Sequence, residues 1–242
     1  MSQVKPLLEN PRALTGKIAD ALGGTVVEQP FLSGCVSSRF DRFLNQLFAS
    51  AAVPPQDAVA ALDGRPGFVW LPEKPDDEEL GGLRLLEMVA MTAATAAELD
   101  KAETQGEIDE VRSRENVDDW FGVYSEVFGA DPNAREEWIR INDALGPEGD
   151  GSLLLLLARV DGKPAATGAV FFHADAAGLY CFTTLERMRR RGLASALVHA
   201  CHEAARARGF EHAVLQATGS GRPAYARAGY REERSLPVLV SP

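Results

Sequence analysis

Thr184-Leu185-Glu186-Arg187-Met188-Arg189-Arg190-Arg191-Gly192-Leu193-Ala194-Ser195 is the stretch that decides how this chain is read. An apolar run, Leu179 to Phe182, leads into it, and a helix-patterned segment, Ser195 to Gly209, leads out. The pattern is that of a strand entering a short Arg/Gly turn that opens a helix. A helix start presents backbone N–H groups with no intrahelical partner, and the helix dipole adds partial positive charge there. Gly192 and Ala194 keep the surface low, so a phosphate can come close to the main chain. Arg189, Arg190 and Arg191 add full charge. The stretch predicts an anion site at a strand-to-helix junction, and a pyrophosphate fits it best.

The surroundings extend the pattern. The helix after the turn places Leu193, Leu197, Ala200 and Ala204 on one face. Upstream, Ser152 to Val160, a turn at Asp161-Gly162 and Ala165 to Phe172 read as a hairpin, with Leu179 to Leu185 as a third strand. Downstream come a strand, His212 to Thr218, a short helix, Pro223 to Arg227, and a last strand, Tyr230 to Val240. Ahead of the hairpin lie a strand, Gly106 to Val111, a helix capped by Asn116 and ending at Phe128, and a helix from Asp131-Pro132 to Leu145. This half is a mixed α/β sheet with the phosphate-type turn near its middle.

The stretch Thr92 to Gln105, small and polar, reads as a linker or a solvated helix. Before it, Thr25 to Glu28, Phe31 to Ser37, Gly67 to Leu71 and Leu85 to Met91 read as strands, and Pro55 to Leu62 and Asp76 to Leu83 as short helices.

Composition narrows the function classes. The 242 residues are 45% hydrophobic and 25% charged, with a net charge of −10, which argues against general nucleic-acid or anionic-membrane binding. Leu153 to Ala158 is far too short to span a bilayer, and Met1 to Asn10 has no apolar core of signal-peptide type, so a cytoplasmic location is expected. Cys35, Cys181 and Cys201 have neither metal nor redox spacing. His199 and His202, with Glu203 nearby, lack the partners that would complete a metal site, and none is expected. Trp120, Phe121, Phe128 and Trp138 could line an acceptor pocket, although aromatics at this spacing favour core.

Arg189-x-x-Gly192-x-Ala194 resembles the phosphate loop of the GNAT superfamily of N-acyltransferases, which reads Gln/Arg-x-x-Gly-x-Gly/Ala. The strand end Thr183-Thr184-Leu185, the helix end Ala207-Arg208-Gly209-Phe210 and Tyr225-Ala226-Arg227-Ala228-Gly229-Tyr230, similar to the family's Tyr-x-x-x-Gly-Phe, agree with it. The resemblance covers Gly106 to the C-terminus. It implies the GNAT acyl-CoA N-acyltransferase fold, a mixed α/β (α+β) architecture with a catalytic domain over 104–242. A looser echo links GFVWL, DEEL and LLEMVAM to AVLQAT, the helix at Pro223 and the final strand. It suggests a smaller, degenerate GNAT-like lobe over 1–95 that packs on the catalytic part and walls the acceptor cleft.

The resemblance also implies roles. The backbone of Phe182, Thr183 and Thr184 would pair with the pantetheine arm of acetyl-CoA. The amides of Arg190, Arg191, Gly192, Leu193, Ala194 and Ser195, with the Arg189 side of the loop, would hold the pyrophosphate. Thr218 would touch the cofactor, and Tyr225 would protonate the departing thiolate, its ordinary pKa of ~10 suiting a strongly basic leaving group. A backbone N–H near Thr184 would stabilise the developing oxyanion. The acceptor would be a small-molecule or peptide amine, and a homodimer is compatible with the sequence.

Two positions depart from the family. Glu186 stands where a proline is usual, its charge offset by Arg187. Gly178 stands where some members carry a catalytic glutamate, which leaves His173, Asp175 and Tyr180 as candidate bases. Tyr180 is expected on the same strand face as Gly178 and Phe182. The missing base motivates an alternative, a non-catalytic acyl-CoA-binding or sensor protein. A third reading is a protein-interaction domain with a decayed site.

Overall fold

The computed structural model describes residues 6–96, 104 and 106–241. Its elements are α1 (Pro6–Leu22), β1 (Thr25–Gln29), β2 (Leu32–Val36), β3 (Asn45–Ala49), α2 (Pro55–Ala60), β4 (Phe68–Trp70), α3 (Asp77–Leu80), β5 (Arg84–Ala94), β6 (Glu107–Glu110), α4 (Arg114–Phe128), α5 (Arg135–Leu145), β7 (Leu153–Val160), β8 (Lys163–His173), β9 (Ala176–Thr184), α6 (Leu193–Ala207), β10 (His212–Thr218), α7 (Arg222–Arg227) and β11 (Arg231–Val240). The mixed α/β architecture expected of the GNAT fold is present as one sheet of eleven strands, ordered β1-β2-β3-β4-β11-β5-β10-β9-β8-β7-β6.

That order reads almost the same from either end. β1 to β4 run inward from one side, β7 to β10 from the other, and the strand that closes each series crosses over to pair with the opposite series. β4 pairs with β11 and β10 with β5, all antiparallel, and β5 and β11 pair with each other at the centre. The parallel steps match as well: β3 beside β4 and β9 beside β10. The sheet is thus pseudo-twofold, with the exchanged strands on either side of the axis.

Helices cover both faces. α6 lies over Leu179, Ala213, Leu215 and Met91, and α2 over Leu47, Val69 and Leu239 on the same face. α1, α4 and α5 cover the other face through Leu14, Ile18, Trp120, Tyr124 and Trp138. Pro11 sits inside α1 and leaves the Leu7 carbonyl without its i+4 donor, but Gln216 Nε2 of β10 donates to that carbonyl at 3.0 Å. Among the described residues no helix is long and apolar enough to cross a membrane.

Several expectations are corrected. The N-cap of α4 is Ser113, whose side chain accepts from Asn116 N–H, rather than Asn116 itself. Thr92 to Ala94 are the end of β5, and Thr95 is buried with its hydroxyl on the Phe210 carbonyl (2.7 Å). These residues are therefore not linker; 97–103 and 105 lie outside the described residues.

Candidate functional site

β9 and β10 pair only from Ala176↔His212 to Leu179↔Leu215. Past Leu179 they part, and Tyr180 to Thr184 border a cleft. A bulge shapes this edge: the β8–β9 register jumps between Thr167 and Ala169, so Cys181 and Phe182 stand opposite Gly168 alone. Cys181 has φ +55, its carbonyl accepts from Thr167 Oγ1 (2.8 Å), and Trp120 Nε1 donates to the Gly168 carbonyl (3.2 Å).

A bulge shifts side-chain alternation by one residue. Tyr180 and Cys181 both enter the core under α4 and α5, while Phe182 packs on the α6 side. The expectation that Tyr180 and Phe182 share a face is therefore overturned by the inserted residue. Leu185 N–H donates to the Ala165 carbonyl (3.0 Å) on the β8 side. Strand alternation then turns the peptide groups of Phe182 and Thr184 toward the cleft. Thr183 is buried, its hydroxyl engaged with Thr167 Oγ1 at 2.9 Å.

The turn after β9 runs through a short 3-10 segment, Glu186–Met188, into α6. Arg190 (φ +62) and Gly192 (φ +76) are both left-handed, the conformation that Gly192 adopts without a Cβ penalty. No side chain caps α6, and its Ala196 N–H donates to the Gly192 carbonyl (3.0 Å). The amides of Leu193, Ala194 and Ser195 precede that bond and belong to the open first turn. Leu193 is buried and anchors the turn, whereas Arg189, Arg190, Arg191, Ala194 and Ser195 are exposed. The Arg187 guanidinium pairs with Glu126 at 2.7 Å, tying the last turn of α4 to the loop. It is not the counterion of Glu186. The donor set of open amides and arginines suits a diphosphate.

Across the cleft, Thr218 ends β10 and is exposed; its hydroxyl accepts from Gly221 N–H (3.3 Å) and meets Ser220 Oγ (3.2 Å). Tyr225 of α7 is half-buried, its ring edge-on to Phe182 (6.2 Å) and Tyr230 (5.8 Å). Among the described residues no side chain or backbone group bonds its hydroxyl. Burial pushes that hydroxyl above the ordinary tyrosine range, so it holds its proton at neutral pH. Tyr225 and Phe182, distant in sequence, are thus brought together at the cleft.

Behind them, Tyr230 Oη lies 2.8 Å from His202 Nε2. His202 is 1% exposed, and desolvation pushes its pKa down to about 4. This buried His–Tyr pair removes His202 from metal binding, and His199 contacts Glu203 instead (3.5 Å). Among the described residues no group of three or more His, Cys, Asp or Glu could hold a metal ion.

Gly178 has a specific cause that sequence reasoning missed. A Cβ there would overlap Asn10 Oδ1 of α1 and lie 2.7 Å from Tyr180 Cε2. Asn10 Nδ2 donates to the Ala176 carbonyl (2.9 Å), and Tyr180 Oη donates to Asn10 Oδ1 (2.7 Å). A first-half carboxamide therefore fills the space that any side chain at position 178 would enter. The one available signal was a glycine inside a strand, which marks a close approach. The candidate bases fare poorly. Tyr180 is a buried donor whose pKa desolvation pushes well up. His173 ends β8 and Asp175 lies in the β8–β9 turn, at the opposite end of β9 from Phe182.

Trp120, Phe121 and Trp138 are core, and of the four aromatics only Phe128 is exposed. Trp138 also holds Asp41, another residue that the sequence did not reveal. Its carboxylate accepts from Trp138 Nε1 (2.8 Å), Tyr124 Oη (3.1 Å) and Phe43 N–H (2.9 Å). Burial raises its pKa against these bonds. Asp41 bolts the β2–β3 connection to α4 and α5.

Residues 114–230 match the Acetyltransferase (GNAT) family. The whole chain is similar in fold to a GCN5-related N-acetyltransferase from Kribbella flavida (19% identity, TM-score 0.64, covering 96% of this chain and 95% of that one). It is similar also to a functionally unknown conserved protein from Staphylococcus epidermidis ATCC 12228 (15%, 0.65, 91% and 94%). A third neighbour is a GCN5-related N-acetyltransferase-like protein from Streptococcus suis 89/1591 (12%, 0.63, 98% and 96%). No curated protein matches the chain.

Proposed function

We propose, from the match of residues 114–230 to the Acetyltransferase (GNAT) family, that the chain is an N-acetyltransferase moving the acetyl group of acetyl-CoA to a primary amine by direct attack in a ternary complex. Acetyl-CoA, when bound, supplies an activated acetyl thioester. The catalytic domain runs over 104–242, and 1–95 form the related, degenerate lobe. The observation that carries the reading is the parting of β9 from β10 beside the uncapped start of α6.

The peptide groups of Phe182 and Thr184 bind the pantetheine arm as an added strand would, with Thr183 holding the bulged edge in place. Arg189, Arg190, Arg191, Gly192, Leu193, Ala194 and Ser195 form the diphosphate cradle, and Thr218 borders the cofactor from β10. Tyr225 keeps its proton until the thiolate leaves and then donates it. Holding amine and thioester together provides most of the acceleration. With Gly178 in place of a glutamate, the attacking amine loses its proton to water or enters already neutral. The acceptor is a small molecule or peptide amine, and the protein is cytoplasmic.

Arg190→Glu tests the cradle by isothermal titration with acetyl-CoA: affinity falls at least tenfold with an unchanged melting temperature. Unchanged affinity overturns it. The Asn10–Gly178 contact favours a second reading, a protein that binds acyl-CoA without turnover. It would bind acetyl-CoA yet release no thiol with any of a panel of amines.

A further inference from the structure

The pseudo-twofold sheet contains a second place where parallel strands separate. Pairing of β3 with β4 stops at Phe48↔Trp70. Beyond it, Ser50 N–H turns to the Phe31 carbonyl (2.8 Å) on one side and Leu71 N–H to the Pro237 carbonyl (2.9 Å) on the other. Between the diverging segments lies a cavity of about 580 Å³, within the ~300–1,000 Å³ usual for small-ligand sites.

Its chemistry is opposite to that of the β9–β10 cleft. Ala52, Val53, Pro54, Leu71, Pro72 and Pro75 form apolar walls. The turn after β3 has no arginine, and Pro54 and Pro55 remove N–H groups where α6 offers them. The rim carries Glu73, Asp76 and Glu79 against Lys74, the single cation of the lining. Three carboxylates against one ammonium repel a diphosphate and attract a cation, while the walls ask for apolar surface.

We propose that this first-half cleft binds an organic ammonium ion with an apolar body, an arylalkylamine, at the position that the pseudo-twofold relates to the coenzyme cleft. Strand direction keeps the two sites apart. Three antiparallel steps separate β4 from β10 (β4–β11, β11–β5 and β5–β10), so their C-terminal ends point to opposite ends of the sheet. The amine site is therefore not the acceptor site, and it stands whether or not the transfer reading does.

Phenethylamine titrated into the full chain saturated with coenzyme A, or into the free chain should coenzyme A not bind, tests this directly. One saturable binding event is expected, with hydrogen exchange slowed across 71–80. Glu73→Lys, an exposed charge reversal, and Ala52→Trp, which fills the cavity, each lower the amine affinity at least tenfold and leave coenzyme A affinity and melting temperature unchanged. No saturable binding overturns the proposal. So does binding indifferent to both substitutions, which places the amine in the transfer cleft, and so does a second equivalent of coenzyme A displaced by phenethylamine.

Discussion

The two turns that follow β3 and β9 hold equivalent places in the sheet and share almost no chemistry. After β9 come four arginines, two left-handed residues and an uncapped helix of 15 residues; after β3 come Ser50 to Pro54 and a helix of six. The strands separate in both places, so topology supplies the opening. What fills the opening is set by a few residues at its mouth. The first half has kept the scaffold and reversed the sign of the site, while lending α1 and the β2–β3 connection to its neighbour.

That contrast can be broken most decisively at Gly192. Gly192→Trp obliges a bulky residue to hold φ +76 at the helix start, and we expect coenzyme affinity to fall about a hundredfold, the loss of roughly two charge-assisted hydrogen bonds. Val53→Trp at the other turn should leave that affinity unchanged, as measured by titration calorimetry. Equal losses from both would end the distinction between the turns. Next in size, Asp41→Ala should cost about 3 kcal/mol in urea unfolding, because Trp138 Nε1 and Tyr124 Oη lose a buried partner. A loss under 1 kcal/mol would mean that the first half is not fastened there.

A comparable effect should appear with pH. His202 is neutral in the fold, its pKa down at about 4, and titrates near ~6.5 when unfolded. Stability is therefore full above pH ~6.5 and falls as pH drops toward 4, by up to about 3 kcal/mol at 1.36 per unit. His202→Gln should flatten that slope between pH 6.5 and 4 in thermal melts; an unaltered slope would assign the acid loss to other groups. Tyr225→Phe should lower kcat about tenfold to a hundredfold, with KM for acetyl-CoA nearly constant. Smallest of all, Arg222→Ala breaks an exposed pair with Glu232 and should shift stability by under ~0.5 kcal/mol.

The sequence made the local features readable and hid the distant ones. The β9–turn–α6 unit, the Asp161-Gly162 hairpin and the β10–α7–β11 ending follow from short-range signals, namely glycines at left-handed positions, alternation and capping. Helix α1 is hidden locally because Pro11 reads as a breaker, and the group that compensates for it, Gln216, lies over two hundred residues away. β3 has a polar start, Asn45-Gln46, that hides a fully buried strand; Asn45 satisfies its amide on the Ser38 and Pro66 carbonyls (both 2.7 Å). The Cys181 bulge has no glycine of its own; the glycine that marks it, Gly168, lies on the neighbouring strand. Asn10 is visible only through the emptiness it imposes on Gly178. Each of these depends on a partner brought in by tertiary structure, which no window of neighbours contains.

The exchanged central strands carry a consequence for biosynthesis. β11, translated after every other described element, is wedged between β4 and β5 from the first half. A nascent chain lacking it presents two bare strand edges, an invitation to mispairing. Maturation is therefore held until translation passes Val240, and a product shortened before Arg231 should be cleared by proteases rather than linger as a usable fragment.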